Sequence, residues 1–368
     1  MKKHINPIVL QNENGQAKVL VAAEYQGRVM TSTASGDAGL SFGWLNYDLI
    51  ASGKFGPHIN AFGGEDRFWL GPEGGQFSLF FKNGDPFDLA HWQTPPAIDS
   101  EPFEIVAQSK TNVSFRKKMQ LLNYSNSRFD LQIDREIHLL NEGTIAEKLG
   151  MKIESSVNSV AFESINKITN IGKSGWKKKT GLLSIWILGM LNPSDETIVV
   201  IPLRGSARIN DNYFGKVPPE RLVVRNQVAF FKGDGKMRSK IGVPPGSTRP
   251  ILGSYDAINK ILTIVQFTFD SKAEYYVNSA WEMQQFPYKG DVINSYNDGP
   301  PSPGAKALGP FYELESSSAA RELNPGESCT HIHSTFHFTG PESVLDKIAQ
   351  NKFGVGLTAI KSALKQVE

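Results

Sequence analysis

Residues 129 to 139 read Phe-Asp-Leu-Gln-Ile-Asp-Arg-Glu-Ile-His-Leu, with apolar side chains at 129, 131, 133, 137 and 139 and Arg135 as the one exception. A helix would scatter these positions around its axis, whereas an extended strand gathers them on one face and sends the polar ones to the other. Alternation or β-branched content marks further strand candidates at 17–22, 77–81, 103–107, 112–121, 148–153, 161–168, 181–190, 197–203, 260–269, 311–314 and 330–338. No helix-length segment recurs between them, which excludes doubly wound and (β/α)8 architectures and points to an all-β fold. The 34 glycines and 21 prolines favour many turns over long helices. Helical periodicity is confined to the end, where Pro341-Glu342-Ser343 leads into 344–349 and where Leu357, Ile360 and Leu364 share a face within 357–367. Such a short C-terminal tail would cover a sheet edge or pack on a convex face.

The remaining stretches at 53–75, 84–100, 205–219, 233–250 and 286–309 read as long loops on this sheet scaffold, which is where sites usually sit. They carry aromatics and are flanked by strands, so none resembles a linker. The expectation is one domain over 1–368, with a core at about 15–340 and the tail at 341–368.

Lys and Arg number 39 and Asp and Glu 37, with no basic block, so a nucleic-acid partner is not expected. The longest apolar stretch, 182–191, is interrupted by Ser184 and Gly189 and falls far short of a membrane span. A single cysteine, Cys329, excludes an intrachain disulfide framework. The start, Met1-Lys2-Lys3-His4-Ile5-Asn6-Pro7, has no apolar region behind it, so the chain as given is expected in the cytoplasm, or in the periplasm or outside if a signal was trimmed. No cofactor is implied, and the oligomeric state stays open.

Chemistry-bearing residues concentrate in four places. The run from His58 to Gly75 packs Arg67, Trp69 and Glu73 among glycines: an Arg fork for hydroxyls, an apolar ring face and an acceptor, a set suited to a sugar ring and equally to a tight structural turn. Glu313 and Glu315 share a strand face at roughly 6.6 to 6.8 Å between Cα atoms, as a general base and a hydroxyl acceptor or as a solvated face. His331 and His333 are spaced for joint metal ligation, for sugar binding or proton transfer, or for half-buried packing. With no third ligand in view, no resident metal is expected. The segment from Trp281 to Pro300, with Asn297, mixes aromatics and amides of the kind that recognise polyols or simply pack.

Gly63-Gly64-x-x-Arg67-x-Trp69-x-x-Pro72-Glu73, Asn297-Asp298-Gly299 and Glu315-x-x-Ser318 with Leu323-x-Pro325-Gly326-Glu327 together resemble the galactose mutarotase-like superfamily, closest to an uncharacterised bacterial branch, over about residues 15–340. The resemblance implies a β-supersandwich of large antiparallel sheets with a carbohydrate bound across a concave sheet. In aldose 1-epimerases of this superfamily a glutamate takes the anomeric hydroxyl proton and a central histidine protonates the ring oxygen. The glutamate matches Glu315, and the sugar-contacting arginine matches Arg67. The histidine's Asn-His motif corresponds to Thr169-Asn170-Ile171, with Ile171 in the histidine's place, so His333, His331 or His58 would have to supply the proton.

Two functions follow as expectations. One is a carbohydrate-active enzyme, catalysing anomer interconversion through Glu315 with His333 or His331, with Arg67, Trp69, Glu73, His58, Glu313, Asn297 and Trp281 binding the sugar. The other is a non-catalytic carbohydrate-binding protein using the same face.

Overall fold

The computed structural model describes residues 3–365. Its strands are β1 (Ile8–Gln11), β2 (Lys18–Ala22), β3 (Arg28–Thr33), β4 (Arg67–Gly71), β5 (Glu104–Gln108), β6 (Asn112–Leu122), β7 (Arg128–Leu139), β8 (Asn158–Asn170), β9 (Ser184–Leu191), β10 (Thr197–Pro202), β11 (Leu222–Arg225), β12 (Val228–Lys232), β13 (Ser239–Val243), β14 (Ile251–Asp256), β15 (Ile261–Phe267), β16 (Ile293–Asn297), β17 (Tyr312–Ser317) and β18 (Ser328–Thr339). They form a ten-stranded sheet in the order β11-β12-β10-β14-β15-β18-β8-β7-β6-β5, a five-stranded sheet in the order β13-β16-β17-β9-β4, and a three-stranded sheet β1-β2-β3. Every pairing of named strands is antiparallel, as expected from the alternation.

The two larger sheets pack face to face. Phe129, Leu131, Ile133 and Ile137 of β7 meet Phe68 and Leu70 of β4 and Ile185 and Ile187 of β9 in one core. At the other end Val199, Phe231, Leu252 and Val265 meet Ile241, Ile293 and Leu314 in a second. Burial of these side chains, worth about 1.5–3 kcal/mol each, is what holds the sandwich closed.

A short helix α1 (Tyr47–Ser52) precedes β4, and the outer face of the ten-stranded sheet is covered by helices α2 (Glu142–Leu149), α3 (Glu342–Phe353) and α4 (Leu357–Ser362), with Leu345, Ile348, Phe353 and Ile360 packed on Ile198, Val200, Leu262 and Phe336. The C-terminal tail therefore covers a sheet face rather than an edge. The expected tail ran on to Val367; residues 366–368, like 1–2, lie outside the described residues.

Two strand expectations are corrected. Residues 148–153 contain the end of α2 and its cap: Asn141 accepts from Thr144 N at the start, Gly150 stops the helix at φ 62°, and Ile145 and Leu149 are buried. Capping chemistry here outranks the apolar content of the segment. Residues 77–81 form turns, and Phe80 packs in an aromatic cluster with Trp69 and Trp92 instead of joining a ladder.

Arg135, the exception in the alternation of β7, points with its apolar neighbours into the sandwich. It is fully buried, with Nη2 2.5 Å from Asp66 Oδ1 and 3.0 Å from Asp66 O, and Nε donating to Gly27 O at 3.1 Å. Nη1 donates to Asn166 Oδ1, and Ser164 Oγ donates to Asp66 Oδ2 at 2.7 Å. The histidines of β18 belong to the same interior. Ser316 Oγ of β17 lies 2.7 Å from His331 Nε2 and 2.8 Å from His333 Nδ1, so one hydroxyl ties both rings to the opposite sheet. His337, also of β18, has Nε2 2.9 Å from Glu65 Oε2.

Two outcomes follow. Arg135→Met leaves the Asp66 carboxylate buried without its cation, so urea unfolding should show a loss of about 3–5 kcal/mol, whereas Arg116→Met, at the half-exposed Arg116–Asp134 pair, should cost less than about 1 kcal/mol. Burial pushes His331 down to about 3, assisted by His333, and His333 down to about 4 against the pull of Asp66. Unfolding then takes up protons below the free imidazole value of about 6.5, so stability falls as pH drops from there toward 4. Between pH 7 and pH 5 the wild type should lose about 2 kcal/mol more than His333→Asn. Equal losses in parallel urea titrations would show that His333 does not enter the fold neutral.

Candidate functional site

The period of two that builds the core also builds the site, on the other face of the five-stranded sheet. While Phe68, Ile185, Ile187, Ile241 and Leu314 face inward, the intervening Arg67 and Trp69, Trp186, Leu188 and Met190, Lys240, Tyr296 and Glu313 line a cleft of about 350 Å³. Register sets their neighbours: Lys240 pairs with Tyr296, Tyr296 with Glu313, Glu313 with Met190, and Trp69 with Trp186. The walls come from segments read as loops, which add His58, Glu73, Trp92, Phe214, Arg238 and Asp298, and from Trp281 just ahead of the last of these segments.

Four ionisable groups sit on the cleft floor or just behind it. Arg67 Nη2 donates to Glu313 Oε1 at 2.8 Å, and its guanidinium lies 4.2 Å from the centre of the Trp69 ring. Lys240 Nζ donates to Glu315 Oε2 at 3.1 Å and sits 4.6 Å from the Trp186 ring, whose Nε1 donates to the same oxygen at 2.8 Å. Burial opposes the Lys240 charge, but Glu315, Glu73 and Glu313 together hold it above its ordinary range. Burial pushes Glu313 up to about 8 against Arg67, with the Glu315 charge adding to the rise. Glu73 is raised too, by burial first, with Lys240 and a hydrogen bond to Trp281 working against it. Glu313 thus keeps its proton near neutral pH, Glu73 is raised as well, and Glu315 behind them receives two donors.

The aromatics make a box. Trp92 and Trp281 stack at 5.9 Å, Trp69 meets Trp186 edge-on at 5.5 Å, and Phe214 bridges Trp281 and Tyr296. Tyr296 Oη donates to Asp298 Oδ1 at 2.7 Å, and Gly309 N donates to Asp298 Oδ2 at 2.9 Å. Stacked indoles with polar groups between them suit the apolar faces and hydroxyl rims of a sugar ring.

Of the residues expected from sequence, Arg67, Trp69, Glu73, His58, Glu313 and Trp281 come together in this cleft. His58 sits at its rim, with Nδ1 2.7 Å from Trp92 O. Glu315 is fully buried behind Trp186 and Lys240 and is not part of the lining. Asn297 is also buried; its amide donates to Met237 O and accepts from Gly235 N, which shapes a turn rather than the cleft. His331 and His333 lie between the sheets on Ser316, outside the lining, because the face they share points into the core. Among the described residues no three His, Cys, Asp or Glu side chains are grouped to hold a metal ion. Ile171 is 44% exposed, its N donating to Asp130 O at the end of β8, so the residue at that position does not face the cleft.

Sequence reasoning missed Trp186, Lys240, Trp92, Phe214 and Arg238, and singled out the segment that holds Tyr296 and Asp298 without choosing either as a site residue. Trp186 was legible in principle, as an indole in the alternating phase of an apolar strand. Lys240 was not, since β13 is buried on both faces and carries no alternation.

Solved structures share this architecture. The Slr1438 protein from Synechocystis sp. PCC 6803 matches over 92% of this chain and 96% of its own, with TM-score 0.54 and 11% identity. A provisional aldose 1-epimerase from Escherichia coli K12 matches over 90% and 99%, with TM-score 0.56 and 12% identity. A galactose mutarotase-like protein from Lactobacillus casei ATCC 334 matches over 90% and 100%, with TM-score 0.52 and 10% identity. At these identities the likeness establishes the galactose mutarotase-like fold. No curated protein matches the sequence. Residues 1–364 match one family model from end to end, and by that match the chain belongs to DUF6786, a family of unknown function.

Proposed function

We propose that the cleft binds a carbohydrate of one or two rings and interconverts its anomers by acid/base chemistry carried by Glu313 and Glu73. The observation behind this reading is the pair of raised carboxyls lining one aromatic cleft, next to the charged Lys240 and Arg67. Indole faces hold the ring, and Arg67, already bonded to Glu313, keeps that carboxyl in one orientation. Glu313, which burial lifts to about 8, gives its proton to the ring oxygen. Glu73, which Lys240 pulls back toward the anion, takes the proton of the anomeric hydroxyl. The bond between C1 and the ring oxygen breaks, an open-chain aldehyde forms, and rotation followed by the reverse transfers closes the other anomer. Glu315, the base implied by the resemblance, acts from behind: its anion, fixed by Lys240 and Trp186, raises Glu313.

A second reading, a non-catalytic carbohydrate-binding protein, is favoured by the contact between Arg67 and Glu313, which already occupies one oxygen of the acid. Polarimetry or one-dimensional NMR on freshly dissolved α-aldoses separates the two. The enzyme reading expects interconversion above the spontaneous rate for at least one aldohexose or pentose, and a fall of about 10² to 10⁴-fold in Glu313→Gln with sugar binding retained. The excess rate should also decline as pH rises through about 8, because the acid must carry its proton and Glu313 gives it up there. Binding without any excess rate over the whole panel would leave the binding module as the function.

A further inference from the structure

The cleft is unequal in what it leaves unpaired. Asp298 has both carboxylate oxygens occupied, by Tyr296 Oη and Gly309 N, and Glu313 Oε1 accepts from Arg67. The donors are not matched in this way. Arg67 Nε and Nη1, Trp69 Nε1 and Trp92 Nε1 are buried in the walls with no hydrogen-bond partner among the described residues. Arg67 itself is only 2% exposed, so an acceptor in the cleft meets those nitrogens once a ligand draws the side chains out from the walls. A buried donor without a partner is destabilising by about 1–3 kcal/mol, which a ligand acceptor would relieve.

Charge runs the same way. Arg67, Arg238, Lys240 and Lys306 line the cleft against the carboxyls of Glu73, Asp298 and Glu313. Arg67 and Lys240 are paired with Glu313 and Glu315. Arg238 lies with its guanidinium 3.8 Å from the centre of the Phe214 ring, and although it pulls on nearby Asp298, it forms no ion pair with a carboxylate among the described residues; nor does exposed Lys306. Burial lifts Glu313 to about 8, so near neutral pH that carboxyl adds little negative charge against these cations.

We infer that the carbohydrate taken by this cleft is an acidic sugar of the uronate class, whose carboxylate answers the unpaired donors and the cations Arg238 and Lys306. The inference rests on the carbohydrate reading above and narrows it. A neutral sugar hydroxyl both donates and accepts, so it answers the unpaired donors less fully than a group that only accepts. A carboxylate only accepts, offers about four lone-pair sites, and forms charge-assisted bonds roughly twice as strong as neutral ones. The planar group also matches guanidinium geometry, as a stacked arginine such as Arg238 presents it.

The test is isothermal titration calorimetry at pH 7 in low salt, with glucose against glucuronate, galactose against galacturonate, and glucose 6-phosphate to separate carboxylate from phosphate. Each uronate should bind at least about 10-fold tighter than its parent aldose, equivalent to about 1.4 kcal/mol, and tighter than the phosphate. The ratio of uronate to aldose affinity should fall toward one in 0.5 M salt, since exposed charge is screened at about that strength. It should fall likewise in Arg238→Met with Lys306→Met, and in Lys306→Met alone by a smaller factor; the single variant changes only an exposed side chain, so the arm survives any misfolding of the double one. Uronates binding no tighter than their parent aldoses, or a preference for the phosphate, would overturn the uronate assignment and leave the carbohydrate reading intact. Failure of every sugar to bind would overturn both.

Discussion

The ion pair between Arg135 and Asp66 sets the geometry on which the cleft depends. It joins β7 of the ten-stranded sheet to the residue just before β4 of the five-stranded one, in an interior where neither side chain meets water. A buried pair of this kind is a poor source of net stability compared with well-packed hydrocarbon. What it supplies is position. Only one register of β4 against the large sheet brings Asp66 to both Arg135 and Ser164 while Asp66 exchanges backbone hydrogen bonds with Val29. Glu65, one residue earlier, reaches Ser32 and His337, and Arg67, one residue later, turns to the opposite face and meets Glu313. Three consecutive charges therefore point to three different partners, and the orientation of the cleft arginine is decided from inside the sandwich.

The glycines ahead of this run are part of the same device. Gly63 and Gly64 take φ values of 93° and 116°, and a Cβ at either would come within 2.0 Å of Trp44 O or 2.6 Å of Arg28 Cδ. The chain passes too close to β3 and its loop for any side chain there. That explains physically why two glycines precede the charged triplet, where the sequence alone left a sugar-binding loop and a tight turn both open.

The two sheets were unequally legible. β6, β7, β8 and β18 have one face in the core and the other wet or only partly covered for much of their length, so their composition alternates and their ranges could be read closely. β4, β13 and β16 lay inside segments read as loops. Each is buried on both faces, by the core below and the cleft walls above, and the alternation vanishes. The site sheet was hidden by the property that makes it a site. Even so, the phase of β17 placed Glu313 and Glu315 on one face, and that much held. The histidines misled because the same rule gives a shared face without saying which way it points: His331 and His333 do share one, and it points at Ser316. The motif match at Ile171 failed for another reason, since a short polar turn after a long strand aligns easily in sequence while its tip sits at the surface.

The cleft concentrates charge where the scaffold can least rearrange to screen it. Arg67, Lys240, Glu313 and Glu315 all project from strands whose other faces are locked in hydrophobic cores, so their positions follow from backbone register rather than from loop conformation. Groups fixed in this way need little reorganisation when a ligand arrives, which is the condition under which an electrostatic site works best. The same rigidity explains the raised carboxyl of Glu313. A carboxylate on a flexible loop would turn to water, whereas Glu313, held between Arg67 and the charge on Glu315, keeps its proton to a higher pH. The walls complete the argument from the other side. Trp92, Phe214 and Trp281 come from long connections between strands, so the walls are the part of the cleft free to vary without disturbing the floor.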